Sequence, residues 1–245
     1  MDQPKVVRSN EHLPPQAASG GLPRNAVRVW DLPTRLFHWL LALAVIGLVV
    51  TAKIGGAAMT FHFRLGLFVL GLLLFRLLWG LVGGRWSRFA NFFYAPWTIL
   101  RYLRGGSRPG EHHEVGHNPL GSLSVFAMLL LLMVQVSTGL IADDEIANVG
   151  PLNKYVATAT GLAATSWHKT FGQWFIIGLV VLHIAAIVGY LVVKKTNLVR
   201  PMLSGDKLLP ESAPAARDDA ATRGLALVLA LVAGAVVAWV IRLSG

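Results

Sequence analysis

The sequence predicts an all-α integral membrane protein: a four-helix transmembrane bundle followed by a fifth, C-terminal transmembrane helix. Three observations carry this. Of the 245 residues, 54% are hydrophobic and only 14% are charged, where a soluble domain carries about a quarter charged residues. Five apolar stretches each come close to the ~20 residues that cross a bilayer as a helix. The basic residues collect in the segments flanking those stretches.

Taken in order, residues 1–27 are polar and Pro-rich and read as a disordered tail. They lack the apolar core of a cleavable signal peptide. The five spans are predicted at 32–51, 62–82, 119–142, 168–193 and 224–241. Asp31 can cap the first helix, and Pro33 fits its first turn. Residues 94–104 (YAPWTILRYLR) mix aromatics, helically spaced apolar residues and two arginines, the pattern of a helix lying on the membrane surface. Asn118 and Pro119 mark the start of the third span. Residues 204–223 are polar and Pro/Ala-rich and read as a flexible linker. The expected organisation is therefore a tail (1–27), a four-helix domain (28–203), a linker (204–223) and the fifth helix (224–245).

The net charge of +10 follows the positive-inside bias and does not point to nucleic acid. Lys5, Arg8, Arg24, Arg28 and Arg35 precede or open span one. Arg85, Arg88, Arg101, Arg104 and Arg108 follow span two, and Lys194, Lys195, Arg200 and Lys207 follow span four. The alternate loops are poorer in basic residues. These counts place the N-terminus in the cytoplasm, though Arg242 runs slightly against the pattern. The absence of cysteine excludes disulfides, iron–sulfur clusters, zinc-thiolate sites and covalently attached haem.

Histidine inside a bilayer is expensive and marks function by default. His38 lies about two turns into span one, and His62 opens span two at the other side. His168 and His183 both lie on span four, 15 residues apart. That spacing is roughly 22 Å along a helix and about 60° past four full turns, so both rings project from nearly one face. Depth pairs His62 with His168 on the outer side and His38 with His183 on the inner side. By count, His38 lies roughly 6 Å nearer its membrane face than His183, a difference that helix tilt absorbs. A single membrane histidine is more often an interhelical hydrogen-bonder than a ligand. Two cross-helix pairs fit metal sites built between facing helices, and two imidazoles on opposite faces of a macrocycle give an electron-transfer haem.

Arg76, within GLLLFRLLWG, lies roughly 21 Å along its helix from His62, at the level of the inner pair. It can bind a haem propionate or snorkel to headgroups. Arg64 and Lys169, beside the outer pair, read either as outer propionate partners or as interface anchors. Met128 and Met133 read as packing.

Five segments carry a resemblance: VRVWDLPTRLFHWLLALAV, FHFRLG, RLLWGLVGGRWSRFANFFYAP, GHNPLGSLSV, and WHKTFGQW together with LHIAAIVGY. Together they are similar to the bacterial cytochrome b561 family, which includes the cytochrome b subunit of nickel–iron hydrogenases. The similarity spans about residues 28–207. It implies a four-helix membrane cytochrome with two non-covalent b-type haems, one on His38 and His183 and the other on His62 and His168. The fifth span and its linker depart from the minimal family pattern.

His117 resembles a family position before span three, where it can line a quinone pocket or bond a propionate. Its titratable ring would suit quinone protonation. His112 and His113 read as solvated loop residues. The acidic run 143–145 can dock a basic periplasmic c-type cytochrome or simply solvate its loop.

The leading expectation is electron transfer across the bacterial inner membrane between quinone and a redox partner protein, with membrane lipid as the surrounding partner. One alternative is a non-catalytic subunit that anchors and wires a larger oxidoreductase such as a hydrogenase. Another is a histidine-relay transporter. Whether the chain itself turns over quinol, and whether it forms a homodimer, are left open by the sequence.

Overall fold

The computed structural model describes residues 25–106, 115–209 and 213–244. Strand β1 (Asn25–Arg28) leads into α1 (Leu32–Ile54), α2 (Met59–Val82) and α3 (Pro96–Leu103). Then come α4 (Pro119–Leu140), α5 (Thr158–Trp167), a π turn (His168–Gly172), α6 (Gln173–Val192), α7 (Val199–Ser204), strand β2 (Asp206–Leu209) and α8 (Ala220–Ser244). Among the described residues, five helical runs are long and apolar enough to cross a membrane. The end of the bundle that carries β1 is called the near end below, and the opposite end the far end.

The caps follow from local chemistry. Asp31 Oδ1 accepts the Thr34 amide at 2.8 Å and starts α1, with Pro33 in the first turn. Asn118 Oδ1 accepts the Gly121 amide at 2.7 Å and starts α4. Gly55 ends α1 at φ +68°, a left-handed conformation that glycine adopts without strain. The amphipathic α3 falls within the predicted surface helix.

Span four begins earlier than the hydropathy suggested. Thr158–Val192 forms one 35-residue run, so His168 sits a full ten-residue helix inside it. The small, weakly polar residues of TATGLAATSW conceal that extension from a hydropathy reading. Span two likewise starts at Met59, one turn before His62.

The core lies along α2. Val69, Leu73, Phe75 and Trp79 pack with Phe37 and Ala44 of α1, Leu129 and Leu132 of α4, and Ala226 and Ala233 of α8. The fifth helix is thus seated on the bundle through small residues that allow close approach. Residues 204–223 also depart from the flexible linker expected. Among the described ones, Asp206–Leu209 pair antiparallel with Asn25–Arg28, and the Ala216 amide donates to Arg28 O at 2.7 Å. Composition pointed to a loop because backbone pairing with a distant strand leaves no local pattern. Of the predicted tail, residues 25–27 belong to β1 and residues 1–24 lie outside the described residues.

An ion cluster fastens this connection. Asp218, only 5% exposed, bonds Arg28 Nη1 at 2.6 Å and Arg223 Nε at 3.0 Å, with Arg35 Nη2 at 3.9 Å. Burial pushes the Asp218 carboxyl up. The bonds from Arg223, the Leu32 amide and Arg28 outweigh it, so its pKa lies below the usual range. A depressed folded-state pKa stabilises the fold above the unfolded value of about 3.9, and that contribution is lost as pH falls through the folded value. Thermal stability is expected to fall on acidification below about pH 4, with Asp218→Asn flattening that part of the profile. An identical acid limb in the variant would remove Asp218 as its source.

Beneath the cluster, Asp31 is fully buried. Oδ1 accepts Trp79 Nε1 at 3.2 Å as well as the Thr34 amide, and Oδ2 accepts the Ser87 hydroxyl at 2.7 Å. Trp79 Nε1 also reaches Thr34 Oγ1 at 3.1 Å. Asp31→Ala removes the cap of α1 and takes an acceptor from both the Trp79 indole and the Ser87 hydroxyl, which are left to share Thr34 Oγ1, at a cost of about 2–4 kcal/mol. Denaturation in detergent should show that loss. A loss under about 1 kcal/mol, the worth of a cap alone, would contradict this role.

Candidate functional site

The four membrane histidines gather as two cross-helix pairs. At the near end, the His38 ring on α1 faces His183 on α6, with centroids 6.4 Å apart and planes at 51°. At the far end, His62 on α2 faces His168 of the π turn, with centroids 6.0 Å apart and planes at 80°. A metal–imidazole bond is about 2.0–2.1 Å and the ring centre lies about 1.1 Å beyond its nitrogen, so two imidazoles on one ion in line stand about 6.2–6.4 Å apart. The near pair matches that separation, and the far pair at 6.0 Å falls just short of it. Among the described residues, no group of three or more His, Cys, Asp or Glu gathers. Each pair therefore offers two ligands at most, and an ion held there would take its other positions from elsewhere, as in a macrocycle with two axial imidazoles.

The surroundings suit a flat cofactor. Helix α6 packs on α4 rather than closely on α1 or α2, and none of its residues is buried. Gly66, one turn beyond His62, would have nothing within 4 Å of an added Cβ. At Gly139 on α4 an added Cβ would stand 2.9 Å from His168 Cε1, so glycine lets that ring lie against the helix.

The far rings are oriented by matching brackets. His62 Nδ1 donates to Leu48 O at 3.0 Å, and His168 Nδ1 donates to Gln135 O at 2.9 Å. Three residues beyond each carbonyl, Thr51 Oγ1 and Thr138 Oγ1 lie 3.4 and 3.3 Å from the same nitrogens. A carbonyl acceptor fixes the proton on Nδ1 and leaves the Nε2 lone pair for a metal. Gln135 also donates from Nε2 to His168 O at 2.9 Å, a carbonyl within the π turn. Such turns frequently occur at functional sites. The sequence analysis did not find Gln135, Thr51 or Thr138. The available signal was a lone glutamine in LLLLMVQVST, because a polar side chain in a span seeks a partner.

The near pair is set differently. His38 Nδ1 is buried with no partner among the described residues. Nearby, Arg76 is 3% exposed, its guanidinium 4.6 Å from the Phe89 ring centre and 6.0 Å from that of Phe37. Arg76 Nη1 has no hydrogen-bond acceptor, and among the described residues no carboxylate is in ion-pair contact with it. A buried cation with an unsatisfied nitrogen has a use for a nearby anion, and its burial argues against snorkelling to headgroups.

The His117 ring lies between those of Trp30 (4.7 Å) and Phe92 (4.6 Å), tilted to both, and its carbonyl accepts Tyr94 OH at 2.9 Å. Burial first, then the charges of Arg76, His183 and His38, push its pKa down to about 3. Its ring is neutral at physiological pH and suits hydrogen-bond donation better than proton exchange. Like His38 Nδ1 and Arg76 Nη1, its Nδ1 is buried with no hydrogen-bond partner among the described residues.

Arg64 and Lys169 are exposed at the far end, Arg64 lying 5.9 Å from the Phe61 ring centre. Met133 packs on the core. His112 and His113 lie outside the described residues. In the acidic loop, Asp144 accepts the Asn148 side chain and the amides of Asn148, Ala147 and Ile146, which hold its carboxyl below the usual range.

A helical membrane bundle with facing histidine pairs at two depths is an arrangement that suits a membrane cytochrome. Residues 29–205 match the family described as Prokaryotic cytochrome b561. The chain belongs to that family, whose members are b-type membrane cytochromes that carry electrons.

It is similar to the probable Ni/Fe-hydrogenase B-type cytochrome subunit of Cupriavidus necator, 29% identical over 223 residues, covering 77% of this chain and 90% of that protein. It is also similar to the probable Ni/Fe-hydrogenase 1 B-type cytochrome subunit of Escherichia coli K12, at 26% identity with 72% and 88% covered. A third relative is the probable Ni/Fe-hydrogenase B-type cytochrome subunit of Rhodobacter capsulatus, at 28% identity with 75% and 82% covered. No solved structure matches the chain.

Proposed function

We propose that this chain moves electrons across the bacterial inner membrane through two b-type haems, between a hydrogenase-like partner at the far end and quinone at the near end. The observation that carries this reading is the pair of His–His separations, 6.4 and 6.0 Å, at two depths of one bundle. Each haem, when bound, supplies an iron that takes up and releases one electron. His38 and His183 hold the near haem, and His62 and His168 the far one. Leu48 O and Gln135 O fix the far rings, while Arg76 and the neutral His117 hold a near propionate. Arg64 and Lys169 serve the far propionates from the surface.

The near end carries the basic loops and would lie in the cytoplasm, with the N-terminus. The partner follows from the relatives, several of which are named as hydrogenase cytochrome subunits. They favour a wiring subunit over an independent oxidoreductase. A histidine relay is disfavoured, since both far Nδ1 atoms are tied to backbone carbonyls.

The test is reduction of the purified protein by a short-chain quinol and, separately, by reduced hydrogenase. Haem reduction by hydrogenase and reoxidation by quinone support the reading. Haem that exchanges electrons with a c-type cytochrome but with neither of these would replace the proposed partners.

A further inference from the structure

We propose that the cleft between the end of α2 and the start of α8 binds the headgroup of an acidic phospholipid. The cleft holds about 820 Å³ and lies at the near end, between the turns after Val82 and the segment entering α8. That is the level at which two apolar spans end and headgroups begin. Its polar side carries Arg85, Arg88 and Arg217. Among the described residues Arg85 has no carboxylate in contact. Arg88 spends Nε on Gly83 O at 2.7 Å, which leaves its terminal nitrogens available. Arg217 pairs with Asp219 at 2.9 Å. Three guanidiniums thus face one carboxylate, an excess that a phosphodiester complements with charge-assisted hydrogen bonds.

The other wall is apolar. Val82 and Leu225 line the cleft, and Leu81 and Val228 continue that surface down the membrane face at 70% and 55% exposure. A soluble anion has no use for that wall, whereas an acyl chain does. Trp86, whose indole donates to Pro214 O at 2.9 Å, closes the rim. A zwitterionic lipid would bring a second cation into an already cationic site, so the site selects a headgroup with net negative charge. Basic pockets between membrane helices on the cytoplasmic side bind such headgroups. The lipid would also bridge α2 and α8 and so hold the fifth helix. None of this depends on the haem assignment.

The experiment uses the full chain in nanodiscs containing equal phosphatidylglycerol and phosphatidylcholine, extracted into neutral detergent, washed, and weighed by native mass spectrometry. One phosphatidylglycerol should remain per chain. Retention should fall about tenfold in Arg85→Gln/Arg217→Gln and stay unchanged in Arg104→Gln, which lies outside the cleft. Millimolar inorganic phosphate should not displace the lipid. Equal retention of both lipids, or undiminished retention in the double variant, overturns the proposal. Displacement by phosphate assigns the site to a soluble anion instead. Should the double variant fail to fold, the competition between the two lipids on the unaltered chain decides the question alone.

Discussion

Replacing His168 by alanine is expected to remove one haem per chain and spare the other. In the proposed far site the two ligands are His62 and His168, on different helices and centred 6.0 Å apart. Losing either leaves one axial imidazole, and with Gly66 and Gly139 beside the ring pair no other described histidine reaches that depth. The near pair is an independent construction ten residues down α1 from the Leu48 bracket, about 15 Å away along the helix, so its spectrum should persist. His38→Ala and His183→Ala should do the reverse.

The stability consequences are also unequal. No residue of α6 is buried, so little packing holds that helix, and the ligand bonds at His168 and His183 would supply much of its attachment. The double replacement should therefore loosen α6, detectable as protease cleavage near the 193–198 turn. Equal loss of both haems from a single replacement would contradict the pairing.

The near haem is expected to have the higher reduction potential, and Arg76→Leu to lower it by about 60–130 mV. Two features set the order. Both far ligands donate Nδ1–H to a backbone carbonyl, which makes the imidazole a stronger donor and favours ferric iron. His38 has no such acceptor. Arg76 then adds a buried cation at the near end, 3% exposed, which favours the reduced state of a nearby haem. A charge-assisted hydrogen bond is worth about 1.5–3 kcal/mol, and 1.4 kcal/mol corresponds to about 59 mV for one electron. The order makes transfer from the far to the near haem downhill, from protein partner toward quinone. Redox titration of the Soret band, with and without Arg76→Leu, reads both claims. A shift confined to the far haem would move Arg76 out of this role.

Much of the site was legible because helical geometry is rigid. The spacing of His168 and His183 fixed their shared face, and loop charge ordered the depths, so the pairs could be assigned without contacts. Arg76 was found for the same reason, as a charge in an apolar run. Gln135, Thr51 and Thr138 escaped because their part is played through backbone carbonyls and a π turn, neither of which has a residue signature. The pairing of Asp206–Leu209 with Asn25–Arg28 escaped because it joins segments about 180 residues apart in sequence. Composition also hid the ordered approach to α8, where Asp218 meets Arg28 only in the fold. His117 was expected just before span three, but its burial against Trp30 and Phe92 joins residues that sequence alone could not bring together.

The central claim is that one chain holds two b-type haems on paired histidines. Its most direct test is the pyridine-haemochrome stoichiometry of the purified, haem-replete protein, read beside its reduced-minus-oxidised spectrum. The account predicts two haems per chain with a b-type α band and low-spin, six-coordinate iron. A protein that stays colourless after expression with excess haem and after reconstitution would contradict it.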